Sequence, residues 1–262
     1  VVVEWKKLWM QMKTRAVLAI CVAAPFLFIL TLQLQSTVPS DTLFGRGVKE
    51  SGFATPLVVL GFAGLWALPV LTSIFGGDLF AAEDRYGAWS TILTRSCSRA
   101  DIFTGKLLAA CAISVVMIAV VAASSVSAGV LVIGSQPLID LSGVLLPPES
   151  ALTRVAFAWA SVVAPSLGFT AMAVLLSIAT RSSTAGVGLP VVIALAMQLA
   201  SLIDGPDLPR RLLLVSAFTA WRGVLMQPAY YGPLVSAVLV SAAYAVVCIV
   251  IAYRIFRRRD IA

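Results

Sequence analysis

Apolar positions in this chain come in long blocks, with short polar stretches between them. Windows of about 20 mainly apolar residues, the length a helix needs to cross a bilayer, recur along it. They lie near Ala16–Leu34, Thr55–Gly77, Leu107–Ile133, Val155–Ala179, Gly186–Ile203 and Pro233–Tyr253. The alternating ten-residue pattern of a membrane barrel is missing, and lipid-exposed backbone must satisfy its own hydrogen bonds. The pattern predicts an all-α membrane protein with six transmembrane helices in a single transmembrane domain, residues 1–262. The first run is long and lacks a small-residue cleavage site, so it reads as a retained span. Pro25, Pro69, Pro165 and Pro190 fall inside four of the windows, where kinks are expected.

The polar stretches carry their own patterns. In residues 1–15, Trp5, Leu8, Trp9 and Met12 recur at helical spacing, with Glu4, Lys7 and Gln11 on another face. That suits an amphipathic helix lying in the membrane interface, or an ordinary charged flank with an aromatic anchor. Residues 205–232 hold Leu214, Phe218, Trp221 and Leu225 at i, i+4, i+7, i+11, which predicts an amphipathic helix over Arg211–Met226. At about 15 residues it is too short to span, so it lies on the surface or re-enters partway, as a lid or as a gate.

Between the second and third windows stands EDRYGAWSTILTRSCSRADIFTGK, residues 83–106. Gly87 is a natural place for the chain to bend. Trp89, Ile92 and Leu93 have the spacing of a short amphipathic helix. Ser98-Arg99-Ala100-Asp101 has the form of a capping box ahead of the third window. A plain connector needs only about six residues, so this stretch is either a docking surface for another protein or a solvated charged connector.

Charge gives the orientation. With the N-terminus inside, the cytoplasmic segments hold 4 (1–15), 4 (81–106), 1 (180–185) and 4 (254–262) Lys and Arg residues, against 2 (36–54), 1 (134–154) and 3 (205–232) outside. The excess predicts that both termini and the 83–106 stretch are cytoplasmic. The whole chain is 60% apolar and 12% charged, where soluble domains carry about 25% charge. Its net charge of +7 belongs to the span flanks and points to lipid headgroups, not nucleic acid.

Candidate chemistry is sparse. The chain has no histidine, and Cys21, Cys97, Cys111 and Cys248 lack any C-x-x-C spacing, so metal and disulfide chemistry are not expected. Gly105-Lys106 is followed by Leu107, and Ala100 stands where a phosphate-binding loop needs its first glycine. The chain is therefore not expected to be an enzyme. Lys106, at the border of a span, reads as a snorkelling residue. Gln198 is the one strongly polar residue well inside a window, whereas proton-coupled transporters and charge-selective pores need ionisable groups there. A secondary transporter, a channel, or a membrane anchor or sensor without transport remain the alternative readings.

The run E-x-x-x-G-x-x-x-x-x-L-x-R-S-x-S-R-x-x-x-x-x-G-K resembles the segment between the second and third spans of ABC-2-type transporter permeases. The match falls on Glu83, Gly87, Leu93, Ser98, Arg99, Gly105 and Lys106, with departures at Ala88, Ile92 and Ser96. The resemblance implies a permease subunit of a bacterial ATP-binding cassette transporter in the inner (plasma) membrane, working as an exporter. A coupling helix around Gly87–Arg95 would dock on a separate ATPase subunit, with Trp89, Ile92 and Arg95 adding to the docking surface. The resemblance also implies a second permease subunit, as homodimer or heterodimer. No cofactor is expected in this chain, ATP and Mg being held by the ATPase. An apolar or amphipathic substrate would leave past the 205–232 segment, with Gln198, Phe218 and Trp221 on its path.

Overall fold

A computed structural model describes residues 2–35, 43–85, 98–203 and 207–258. A short helix, α1 (Val2–Met10), leads through a break at Gln11 into α2 (Met12–Leu34). After α3 (Ala54–Phe62) comes a single π turn (Ala63–Ala67), then α4 (Leu68–Arg85). Next are α5 (Arg99–Val132), α6 (Pro148–Ser161), α7 (Val163–Thr180) and α8 (Ser183–Leu202). The chain closes with α9 (Asp207–Arg211), a 3-10 segment (Leu214–Leu225) and α10 (Gly232–Arg257).

Six helical stretches are long and apolar enough to cross a membrane: α2, α3–α4, α5, α6–α7, α8 and α10. This is a multi-pass, helical membrane protein. The helices run further than the apolar windows. The 34 residues of α5 extend about 51 Å at 1.5 Å per residue, past a hydrocarbon core of about 30 Å.

The four prolines act differently. Pro25 and Pro190 lie inside continuous helices. Lacking an N–H, Pro25 leaves the carbonyl four residues back without its helical donor. Ser124 of α5 supplies one, its hydroxyl donating to the Cys21 carbonyl (3.2 Å) and to that of Val22 (3.1 Å). Pro69 is the second residue after the π turn, and a wider turn is one way a membrane helix re-satisfies backbone groups freed by proline. Pro165 sits in the first turn of α7, after a break at Val162, where the first N–H groups of a helix have no intrahelical partner anyway.

Small residues set how closely α4 approaches its neighbours. A Cβ on Gly77 would lie 2.4 Å from the carbonyl carbon of Gly186 in α8, and one on Gly76 would lie 2.8 Å from the Thr170 oxygen in α7. Backbones packing this closely are typical of membrane helices held by van der Waals contact. The approach fixes α4 against α7 and α8, and so fixes where its last turns end.

At the end of the bundle that carries α1 and the end of α10, a second apolar cluster gathers Leu8, Phe75, Phe80, Phe103 and Phe256. Phe80 meets Phe256 edge-on with ring centroids 5.5 Å apart. At the opposite end, a two-stranded hairpin, β1 (Leu138–Ile139) and β2 (Leu145–Leu146), is antiparallel. The Asp140 Oδ1 accepts from the Ser142 and Val144 N–H groups (2.8 and 2.9 Å), and Gly143 takes φ +80. The hairpin holds the end of the 3-10 segment: the Leu141 N–H donates to the Leu225 carbonyl (3.1 Å) and the Gln227 N–H to the Ser142 hydroxyl (2.8 Å).

That segment corrects the expected α-helix over Arg211–Met226. The anchors Leu214, Phe218, Trp221 and Leu225 are all buried, as their spacing predicted, but the backbone is 3-10 and begins three residues later. With three residues per turn, side chains at i and i+3 eclipse. Val215, Phe218, Trp221 and Val224 form one buried row, Leu214, Ala217, Ala220 and Gly223 a second, and Ser216, Thr219 and Arg222 a more exposed third that ends on the buried Leu225.

The close approach at Gly77 can be tested against a glycine with open space above it, Gly188. Gly77→Val should destabilise the protein by about 1–3 kcal/mol, the usual cost of overpacking, whereas Gly188→Ala should leave stability unchanged or raise it. Denaturant unfolding in detergent micelles measures both.

Candidate functional site

The 83–106 stretch is anchored at both edges by helices. Upstream, α4 carries Asp78 and Glu83 in its last turns. Downstream, the predicted capping box forms: the Ser98 hydroxyl accepts from the Asp101 N–H (3.1 Å), and the Asp101 carboxylate accepts from the Ser98 N–H (3.2 Å). That cap starts α5 and places Gly105 and Lys106 in its second turn, both buried.

Lys106 turns inward, contrary to the snorkelling expected of it. It is 1% exposed, and its ammonium meets three acceptors: Glu83 Oε1 at 3.0 Å, Glu4 Oε2 at 3.3 Å and the Leu79 carbonyl at 3.3 Å. Three donors and three acceptors satisfy an ammonium in full. The Phe80 ring adds a face 5.9 Å from the nitrogen, within cation–π reach. Glu83, itself buried, also accepts from Lys7 of α1. Two acids and two bases thus balance in one cluster, which is what a site of low dielectric requires. A further pair, Lys13 of α2 with Asp78 of α4, lies beside it. Gln11 and Lys13 line a small cavity there with Asp78 and Glu83.

Glu4 and Lys7 therefore do not face away from the bundle, because Lys106 of α5 and Glu83 of α4 are their partners, while Gln11 beside them lines the cavity. Leu8 is buried from the neighbouring face, whereas Trp9 and Met12 are exposed, Met12 already belonging to α2. Glu4 and Lys7 are the site residues that sequence reasoning missed. Their signal was a polar row at i, i+3, i+7 interleaved with a buried leucine, and a lysine and an acid at the two edges of one polar stretch.

Glu83 and Lys106, 23 positions apart, are thus brought together, while Gly87, Trp89, Ile92, Leu93 and Arg95 fall outside the described residues. The Arg99 guanidinium donates to the Arg257 carbonyl at 3.0 Å, where a cation suits the C-terminal end of α10. Phe218 and Trp221 are buried in the core, Phe218 stacked on Phe169 at 6.0 Å and Trp221 tilted against Phe44 at 6.4 Å. Gln198 is half-buried on α8, with an Oε1 that has no hydrogen-bond partner among the described residues.

The cluster has no nucleophile beside a base, and among the described residues no group of His, Cys, Asp and Glu could hold a metal ion. Its chemistry is that of a joint: it ties the flanks of the 83–106 stretch to each other and to α1. Residues 18–262 match the model of a protein family of unknown function, DUF2705. The chain belongs to the DUF2705 family. No curated protein matches it. In this DUF2705 chain Glu83 and Lys106 lie within the matched residues, and Glu4 and Lys7 precede them.

Removing one partner of a buried pair strands the other charge. Lys106→Ala should therefore cost about 3–5 kcal/mol, while the double variant Lys106→Met with Glu83→Gln should recover most of that loss. Lys7 is half-exposed, and Lys7→Ala should cost less than about 1 kcal/mol. Unfolding free energies in detergent, compared as a double-mutant cycle, give all three.

Proposed function

We propose that this chain is the membrane-spanning permease subunit of an ATP-binding cassette transporter of the ABC-2 type, exporting an apolar or amphipathic substrate. A separate ATPase subunit would supply the energy, docking on residues 83–106 from the cytoplasmic side, with a second permease subunit completing the assembly. The observation that carries the reading is the contact between Glu83 and Lys106, two positions of the resembling motif, at the two edges of the proposed docking segment. A pull on a loop with slack edges would be absorbed by the loop. Edges joined through a buried ion pair pass displacement to α4 and α5 together, and through Glu4 and Lys7 to α1. Closure of the ATPase subunits would then rock the spans between two arrangements.

The substrate class follows from the spans. No acidic or basic residue lies near the middle of any of them, so nothing there would neutralise a strongly charged solute. The positive-inside excess supports placing both termini and the docking segment in the cytoplasm.

Replacing residues 86–97 by a Gly-Ser stretch of equal length should leave membrane insertion and thermal stability unchanged. It should abolish co-purification with the ATPase subunit and lower transport-coupled ATP hydrolysis by about tenfold or more, an expectation from losing a whole docking helix. Retained co-purification with full coupling would sink the docking assignment. In proteoliposomes, ATP should drive movement of fluorescent amphiphiles and not of small multivalent ions. Uptake of such an ion would overturn the substrate class.

A further inference from the structure

At the end of the bundle opposite the ion cluster, a cavity of about 540 Å³ opens between the 3-10 segment and the start of α10, within the usual 300–1,000 Å³ of small-molecule sites. Its walls divide by chemistry. The polar row of the 3-10 segment contributes Ser216, Thr219 and Arg222, and Arg211 of α9 adds a second exposed guanidinium. The small row contributes Ala217 and Ala220, which pack with Ala237 of α10 into an apolar floor. Arg210 lies at the edge, where it donates to the Ile203 carbonyl. No carboxylate lines the cavity among the described residues.

Three-residue periodicity is what produces this division, since it stacks hydroxyls and a guanidinium on one side and methyl groups on the next. Ala237 belongs to the second turn of a membrane span, and Tyr230 and Tyr231 are exposed just before it, as suits residues at a membrane–water boundary. The cavity therefore joins a cationic, hydroxyl-rich rim to an apolar floor that reaches α10 at Ala237. We infer that it binds the phosphate group of an anionic amphiphile, with the arginine forks on the phosphate oxygens and the hydrocarbon chain over the alanine floor. A free inorganic anion would leave that floor unused.

The site requires neither the ATPase nor transport, so its failure would leave the permease reading standing. The test is calorimetric titration of the full chain in detergent micelles with short-chain phosphatidic acid, short-chain phosphatidylcholine and inorganic phosphate. Saturable binding of one phosphatidic acid per chain is expected, with phosphatidylcholine and inorganic phosphate weaker. Arg222→Gln and Arg211→Gln should each weaken it about tenfold, the scale of one charge-assisted hydrogen bond lost. Arg222 is exposed, so an unfolding midpoint equal to the parent's should accompany the loss in Arg222→Gln. Phosphatidic acid binding that both variants leave unchanged, or no saturable binding, would overturn the site. Inorganic phosphate binding as tightly as the lipid would overturn the amphiphile and leave a free-anion site.

Discussion

An ammonium group sealed from water at the edge of a membrane must be surrounded by acceptors, and Lys106 imposes that demand on two neighbouring helices at once. Glu83 can reach it only if α4 ends where it does, and the end of α4 depends on how closely Gly76 and Gly77 let it approach α7 and α8. Glu4 can reach it only if α1 folds back onto the bundle after the break at Gln11. A contact between two backbones inside the membrane and an ion pair at its border are therefore parts of one arrangement. The phenylalanines around the cluster, Phe80, Phe103 and Phe256, exclude water and so keep the demand strict.

The two ends of the bundle solve the polar problem by different means. One end uses full charges in a compact, neutral group. The other uses backbone turns, with a carboxylate cradling the N–H groups of a hairpin that in turn holds the 3-10 segment. Between them the helices rely on hydroxyls, Ser124 on the carbonyls near Pro25 and Ser114 with Thr170 at 3.0 Å. A joint of paired charges at one end and a lined cavity at the other leave the two ends chemically unlike.

Much of this was legible in the order of residues. Blocks of apolar residues announce spans because nothing else in a helical membrane protein needs them, and all six appeared, each helical stretch longer than its apolar window. Ser98-x-x-Asp101 announced the start of α5 because a cap is a local interaction. Lys106 was misread for the converse reason: a snorkelling lysine and a buried one occupy the same border position, and only partners distant in sequence, Glu83 and Glu4, distinguish them. The 3-10 segment was misread because 214, 218, 221 and 225 fit a period of 3.6 almost as well as inward positions of a tighter turn. The steps of three from Ser216 to Thr219 to Arg222 pointed the other way. The proposed coupling helix lies outside the described residues, so its docking role rests on the resemblance.

The tight turn of residues 214–225 also sets how this region can vary between related chains. Each residue advances the segment by about 120°, so gaining one residue ahead of it would turn the Phe218–Trp221 row to where the hydroxyls now stand, and losing one would carry Arg222 into the buried Phe218–Trp221 row. Substitutions along the outward row change only what the cavity offers. Lineages could thus re-tune the cavity freely through composition, while the segment's length stays locked.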